Sequence, residues 1–499
     1  MAPPLPEDVA HEASVGPGGG VLHLLTLLLL LFVSLPLRAQ TLTLPGVISA
    51  ALKESAVAGQ AATTRETSYW QYRTYQSNYR PQLALQGTVP NFSRVITPVV
   101  QPDGTIEFQA VRQNYSTLGL TLSQAIGVTG GSVYVTSEAQ RFDDFNRSTR
   151  LYNNQPFSLG LTQPLGRYNA LRWARRIEPL RYQEAGRQFV EEREVIAQRI
   201  TELYFDVLLQ QVNARVATQN AQANAELLRL GRERQQLGRL SQNDLLLLEL
   251  NLLRSRQALV QARLDAQQAA VGLQSYTGLR ADTLLLAVPD VAPRPVVAPT
   301  QALAYARQYR AAPLAFRRRL LEAESAVAQA RGTTGFLATL QANVGYTNSA
   351  QDFWRTYHQP QQQQQVSLGF ALPVVDWGRQ RSVRKTAELS RQQVALTVAQ
   401  EELTFEQSVT TQAAQLGGLH EQLALAAQAD TLAQQRYDIA QATYKVGRIS
   451  LTDLNIALAE KDQAKRAYIA ALRAAWVAHY RLRALTLYDF EQEQPLGQE

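Results

Sequence analysis

Two short turns carry the polar residues with the most chemistry to offer. Leu237-Gly-Arg-Leu-Ser-Gln-Asn-Asp244 and Val446-Gly-Arg-Ile-Ser-Leu-Thr-Asp453 share one pattern: a glycine, an arginine, then Ser-x-x-Asp. In such a pattern the glycine, Gly238 or Gly447, takes the left-handed position that ends a helix. The serine and the acid three residues on, Asp244 or Asp453, form a capping box that starts the next helix. The product is a tight αα-hairpin. Arg239 and Arg448 occupy the same place in each turn. A solvated charge is their ordinary role, while recurrence at one tip position favours contact with a partner.

Catalysis finds no comparable pattern. The chain of 499 residues has no Cys, which removes thiol nucleophiles, thiolate metal sites, disulfides and a lipidated N-terminal Cys. Its five histidines, His11, His23, His358, His420 and His479, form no H-x-x-x-H pair. No G-x-S-x-G, G-K-[ST] or G-x-G-x-x-G occurs. We therefore expect no enzyme, no cofactor and no metal site. The net charge of +7 becomes +9 once residues 1–39, with one Arg and three acids, are set aside. These charges are scattered, so no nucleic-acid arm is read.

The elements that hold the two turns repeat. Ser158-Leu-Gly matches Ser367-Leu-Gly, Pro164 matches Pro373, and Gly238 matches Gly447, each pair 209 positions apart. Upstream, RPQLALQG (80–87) resembles LATLQANV (337–344) at an offset of 257, which leaves 48 extra residues between 87 and 157 in the first copy. The chain thus reads as helix, strand, loop, strand and long helical hairpin, all twice. The tract Arg175–Gln236 carries Ile196, Ile200, Leu203 and Val207 at coiled-coil spacing. In the second copy Leu389, Leu396 and Leu403 step by sevens, as do Val409, Leu416 and Leu423. Helices of that length, with a narrow apolar stripe, must pack lengthwise against other helices.

The strands alternate. Leu83/Leu85, Leu118/Leu120/Leu122, Val133/Val135, Leu159/Leu161, Leu340/Ala342/Val344/Tyr346 and Leu368/Phe370/Leu372 are separated by small or polar residues, Tyr134 excepted. Transmembrane barrel strands have this pattern; an antiparallel sandwich with the leucines in its core is the other solution. Arg141–Asn154 and Tyr357–Gln365 read as polar loops facing outward. Residues 21–36 are the only long apolar run, too short to span as a helix, and with Ala39 behind them they read as a cleaved secretory leader. Any crossing of a membrane by the mature chain must then be made by a closed barrel. At Leu372-Pro-Val-Val-Asp-Trp-Gly-Arg379 an alternating strand meets a polar helix. Pro373, which matches Pro164, is expected to end the ladder; Pro164, Pro373, Asp376 and Trp377 are expected at the membrane interface, where Trp377 suits a headgroup layer.

With Pro373-Val-Val-Asp-Trp-Gly-Arg379 read as P-x-x-D-x-G-R, with Tyr444-x-Val-Gly447-x-x-x-x-x-Asp453-Leu, and with the half-chain repeat, the sequence over about 42–488 resembles the TolC-type outer-membrane efflux channels. The resemblance implies an α+β membrane protein: a transmembrane β-barrel of about twelve strands shared by a trimer, four from each chain, above a long coiled-coil α-barrel. It implies a passive exit duct of a tripartite efflux or type I secretion system in the outer membrane, with a long periplasmic portion. The partners it implies are a homotrimer, a periplasmic adaptor, an inner-membrane transporter and outer-membrane lipid. It makes Gly238, Arg239, Gly447 and Arg448 adaptor contacts, and Asp244, Tyr444 and Asp453 aperture residues. The family's arginine tie to the tyrosine is absent at its expected place: Ile449 stands there, with Arg448 beside it. A coiled-coil envelope tether bearing a β-sandwich is the second reading.

The expected organisation is a leader at 1–39; a first repeat at 40–290 with β segments at 81–164 and a tip near 238; and a Pro-rich linker at 291–300. A second repeat follows at 301–488, with β segments at 338–373 and a tip near 447, then a tail at 489–499. The extra runs at 117–124 and 131–137 are expected either as a hairpin outside the membrane or as added barrel strands.

Overall fold

The computed structural model describes residues 42–238, 240–279, 285–291 and 297–497. The expected leader, Arg239 and half of the Pro-rich linker (292–296) lie outside the described residues. Helices α1 (Leu44–Glu54) and α2 (Ala56–Ser77) precede the first strands; α5 (Pro299–Tyr309) and α6 (Ala312–Gly332) precede the second set. The long helices are α3 (Ala170–Gln236) and α7 (Arg379–Lys445), 67 residues each, with return helices α4 (Gln242–Thr277) and α8 (Leu451–Thr486), 36 residues each. Every boundary of the first hairpin recurs 209 positions later in the second. At 1.5 Å per residue, α3 and α7 each run about 100 Å.

Toward the tips the four long helices form one layer in the order α4-α3-α8-α7; nearer the sheet, where α4 and α8 have ended, α2 and α6 pack beside α3 and α7. The expected seam on α3 is its core: Ile196, Ile200 and Val207 are buried, with Leu203 packed beside them, against Leu273 of α4 and Ile469 and Leu472 of α8. Leu44, Val47 and Ala51 of α1 close that cluster from the side. On α7, Val409 and Leu416 are buried in a second cluster with Leu482 of α8, and Leu423 joins the first. Leu389, Leu396 and Leu403 are exposed, so that stripe finds no partner within the chain. Pro179 sits inside α3, where it removes the N–H that would bond the Arg175 carbonyl; the helix runs on because its neighbours hold it.

The strands are β1 (Gln82–Thr88), β2 (Phe92–Val100), β3 (Ile106–Ile126), β4 (Gly131–Asp144), β5 (Thr149–Leu165), β6 (Leu337–Ala350) and β7 (Gln361–Ala371). They make one antiparallel sheet, β1-β3-β4-β5-β6-β7, with β2 pairing the outer half of β3 in line with β1. Directly paired residues share a face. Leu85 opposes Leu120, Leu122 opposes Val135, Val135 opposes Leu159, Leu159 opposes Val344, and Leu340 opposes Leu368. The other face carries Thr121, Thr136, Ser158, Gly345 and Gln363 in the same way. Tyr134, the exception in the pattern, lies on that face against Gly160, where a Cβ would come within 2.2 Å of its ring.

Several expectations need correction. The sheet is six strands wide, not four: the runs at 117–124 and 131–137 belong to β3 and β4 in its middle. Arg141–Asn154 is not a loop, since β4 continues to Asp144 and β5 resumes at Thr149. Gln361–Gln365 likewise pair with Asn343–Thr347. Ladder hydrogen bonds are made by backbone, so polar side chains extend a strand as readily as apolar ones once a neighbour is in register. Unlike Pro373, which lies beyond β7, Pro164 lies within the ladder: it pairs with Thr339 and β5 continues to Leu165. It is tolerated because the β4 pairing has already stopped at Thr162. The sandwich of the second reading is not seen: the leucine face is open, with Leu83, Leu85, Val366, Leu368 and Phe370 exposed.

Candidate functional site

The two tips lie together at the end of the helical layer far from the sheet. Gly238 (φ +68°) and Gly447 (φ +78°) hold the left-handed conformation, and the space where a Cβ would stand is open at both. Ser450 completes a capping box: its Oγ accepts from Asp453 N at 3.1 Å, and its own N–H donates to Asp453 Oδ2 at 3.1 Å. At Ser241 the Oγ accepts from Asp244 N at 3.1 Å and donates to Asp244 Oδ2 at 2.6 Å. The Ser450 hydroxyl and amide hold the Asp453 carboxyl below its ordinary pKa, so it stays ionised. The full box is present at Asp453, whereas the Asp244 carboxylate accepts from the Ser241 hydroxyl and not from its N–H.

Beneath the tips an apolar cluster joins the hairpins: Leu228 of α3, Leu245 and Leu248 of α4, Tyr444 of α7 and Leu454 of α8, with Ile449 packed alongside. Gly231 lets α3 and α4 approach, since a Cβ there would meet Leu248 Cδ1 at 2.5 Å. Tyr444 is buried, and burial raises its hydroxyl pKa, with Asp244 pushing the same way and Arg234 opposing. Arg234 is the residue the sequence did not single out. It lies on the last turn of α3, its guanidinium 5.7 Å from the Tyr444 ring centre, and its Nη2 donates to the Lys445 carbonyl at 2.9 Å. An arginine therefore does reach Tyr444, from the opposite hairpin and not from position 448 or 449. Gly231, three residues before it, was the only local sign of a close crossing.

At the far end of α7 the strand-to-helix turn is built as a cap. β7 ends at Ala371, and Pro373 follows. Asp376 Oδ1 accepts from Gly378 N and Oδ2 from Gln380 N, both at 3.0 Å, and these two amides lower its pKa. Trp377 takes positive φ (+53°) and projects outward, 96% exposed. Pro373, Asp376 and Trp377 are thus together, and Pro164 lies at the corresponding edge of the same sheet. The structure separates this group from the tips by the length of α7.

The remaining feature is what the chain leaves unpaired. β1 and β7 are the free edges of the sheet, and α4 and α7 are the free edges of the helical layer. Both helical edges carry exposed apolar residues at heptad spacing: Leu246, Leu253 and Val260 on α4; Leu389, Leu396 and Leu403, then Leu425, Leu432 and Ile439, on α7. Among the described residues no helix is long and apolar enough to cross a membrane, and no cluster of ligating side chains could hold a metal ion.

The family model described as outer membrane efflux protein matches residues 108–279 and 298–486. Among solved structures the chain is similar to the Campylobacter jejuni CmeC outer membrane channel (15% identity, 91% of this chain and 87% of that one, TM-score 0.63). It is similar to the outer membrane protein VceC of Vibrio cholerae (15%, 91% and 97%, TM-score 0.62). It is also similar to the open state of the Neisseria gonorrhoeae MtrE outer membrane channel (16%, 89% and 88%, TM-score 0.61). At these identities the likeness is one of fold. No curated protein sequence matches the chain.

Proposed function

Because the chain belongs to the outer membrane efflux protein family, and so is an outer-membrane efflux channel of the TolC type with a long periplasmic helical portion, we propose that three copies form one passive exit duct. The observation that carries this is the double opening of the protomer. A sheet with two free edges cannot rest in hydrocarbon, where every N–H and C=O needs a partner. β1 runs away from the helices and β7 returns to them, so a neighbour's β7 laid on β1 is antiparallel. The helical layer ends on either side in heptad stripes that bury nothing within the chain. One ring of copies closes both.

In that ring the leucine face meets lipid and the Thr/Ser/Gln face lines water. Pro164, Pro373, Asp376 and Trp377 lie at the periplasmic boundary of the membrane. The repeated offsets and equal helix lengths support an internal duplication, with repeats at 40–290 and 301–488. The tips at Gly238 and Gly447, with Arg239 and Arg448, dock a periplasmic adaptor that couples the duct to an inner-membrane transporter. Asp244, Tyr444 and Asp453 border the aperture. Energy comes from the transporter, since a duct of this kind needs no catalytic group. A heat-modifiable trimer that conducts in planar bilayers is the expected result. A soluble monomer without conductance would favour the envelope tether instead.

A further inference from the structure

The sheet is wider than a four-strand share of a barrel, and the reason is the β3–β4 hairpin. It is no flap. β3 pairs with β1 and β2 on one side and with β4 on the other, and β4 pairs with β5 from Ser132 to Asp144. Its outer face continues the apolar band through Leu118, Leu120, Leu122, Val133 and Val135, and its inner face continues the polar one through Thr121 and Thr136. Its periplasmic turn is tied to the helices. Asn169, the N-cap of α3, donates to the Gly127 and Val128 carbonyls at 3.1 and 3.0 Å, and Gln124 donates to the Tyr79 carbonyl at 2.9 Å.

We propose that the membrane barrel has eighteen strands, six from each of three protomers, and that the duct passes from helical tube to barrel without a neck. This rests on the trimeric-duct reading. Strands about 4.8 Å apart and tilted about 40° each take roughly 6.3 Å of circumference. Six strands then cover about 38 Å of wall and four only about 25 Å. The four helices at the sheet end, α2, α3, α6 and α7, at about 9.5 Å spacing, cover about 38 Å. The added hairpin brings the sheet to the width of the helical layer that carries it. Three protomers give a barrel about 36 Å across the backbone, against about 24 Å for twelve strands. With side-chain layers of about 5 Å on each wall, the open bores are about 26 Å and about 14 Å. Size selection then falls to the helical tube and its tip, and cargo that fills the tube meets no second restriction at the membrane.

The test uses the absence of Cys. Single cysteines replacing Leu120 and Val135 are expected to react with a lipid-soluble maleimide and to resist a charged aqueous thiosulfonate. Those replacing Thr121 and Thr136 are expected to react with the aqueous reagent. In planar bilayers, neutral polymers about 20 Å across, added on the extracellular side, are expected to enter the native trimer and lower its conductance. A variant lacking 106–148, which joins β2 to β5, should exclude them. Aqueous labelling at all four positions in a conducting trimer overturns the eighteen-strand wall and leaves the duct intact. So does a conducting native trimer that excludes the 20 Å polymer. A chain that never trimerises overturns the duct reading and this inference with it.

Discussion

Replacing Arg234 with Ala should loosen the closed tip without loosening the protomer. Arg234 is the polar link between the end of α3 and the end of α7: one charge-assisted hydrogen bond to the Lys445 carbonyl and one cation–π contact with Tyr444. A hydrogen bond to a charged group contributes about 1.5–3 kcal/mol and an exposed cation–π contact about 0.5–1 kcal/mol. Arg234 is only half-buried, so the low end applies and the link is worth about 2 kcal/mol. If opening parts the two tips, that loss shifts the open-to-closed ratio roughly 30-fold, at about 1.4 kcal/mol per factor of ten. The assay is open probability in single-channel recordings, with R234K as a control that keeps charge but not the planar stacking group. The apolar cluster of Leu228, Leu245, Leu248 and Leu454 is untouched, so trimer content and thermal stability should stay level. An open probability within twofold of the native value would show that the tips move together or that the link is not broken on opening.

Gly447→Val forces a β-branched residue to φ +78° and should cost about 1–2 kcal/mol locally. It should abolish capture of the adaptor from cross-linked envelopes while sparing trimer and insertion; Gly447→Asn, which tolerates that φ, should separate strain from bulk, and loss of insertion in either would contradict the tip assignment. A Leu396→Asp, Leu432→Asp double variant places two carboxylates on the open α7 stripe, where both leucines are about two-thirds exposed in the single chain. It should fail to form the heat-modifiable trimer yet keep the helical circular-dichroism signal of the protomer, and a normal trimer would remove that stripe from the subunit interface. His479 is held neutral by burial, with Arg483 adding to the effect and its pKa brought down to about 4. An unfolded His titrates near 6.5, so its contribution is complete above that pH and is lost as pH falls toward 4, by about 3 kcal/mol. H479Q should flatten melting temperature against pH over that window, and an unchanged slope would refute the assignment.

The amino-acid sequence by itself determined the long helices, their turns and the apolar cores of the strands. The Gly and Ser-x-x-Asp turns at 238–244 and 446–453 fix where the long helices stop and start, because a left-handed residue and a cap act within a few positions of themselves. Period-two alternation marked the strand cores, and the constant offset of 209 announced hairpins of equal length. Tertiary structure decided who sits beside whom. Alternation says which face a residue takes and nothing about which strand is its neighbour, so the runs at 117–124 and 131–137 could not be placed until register was known. The same holds at the tip: any of many arginines could meet Tyr444, and the one that does comes from 210 residues away. The seam at Leu389, Leu396 and Leu403 reads as ordinary coiled-coil spacing in sequence, and only packing reveals that the chain leaves it uncovered. Local patterns are set by backbone geometry, whereas the choice of partner is a contest among all surfaces of the folded chain and its copies.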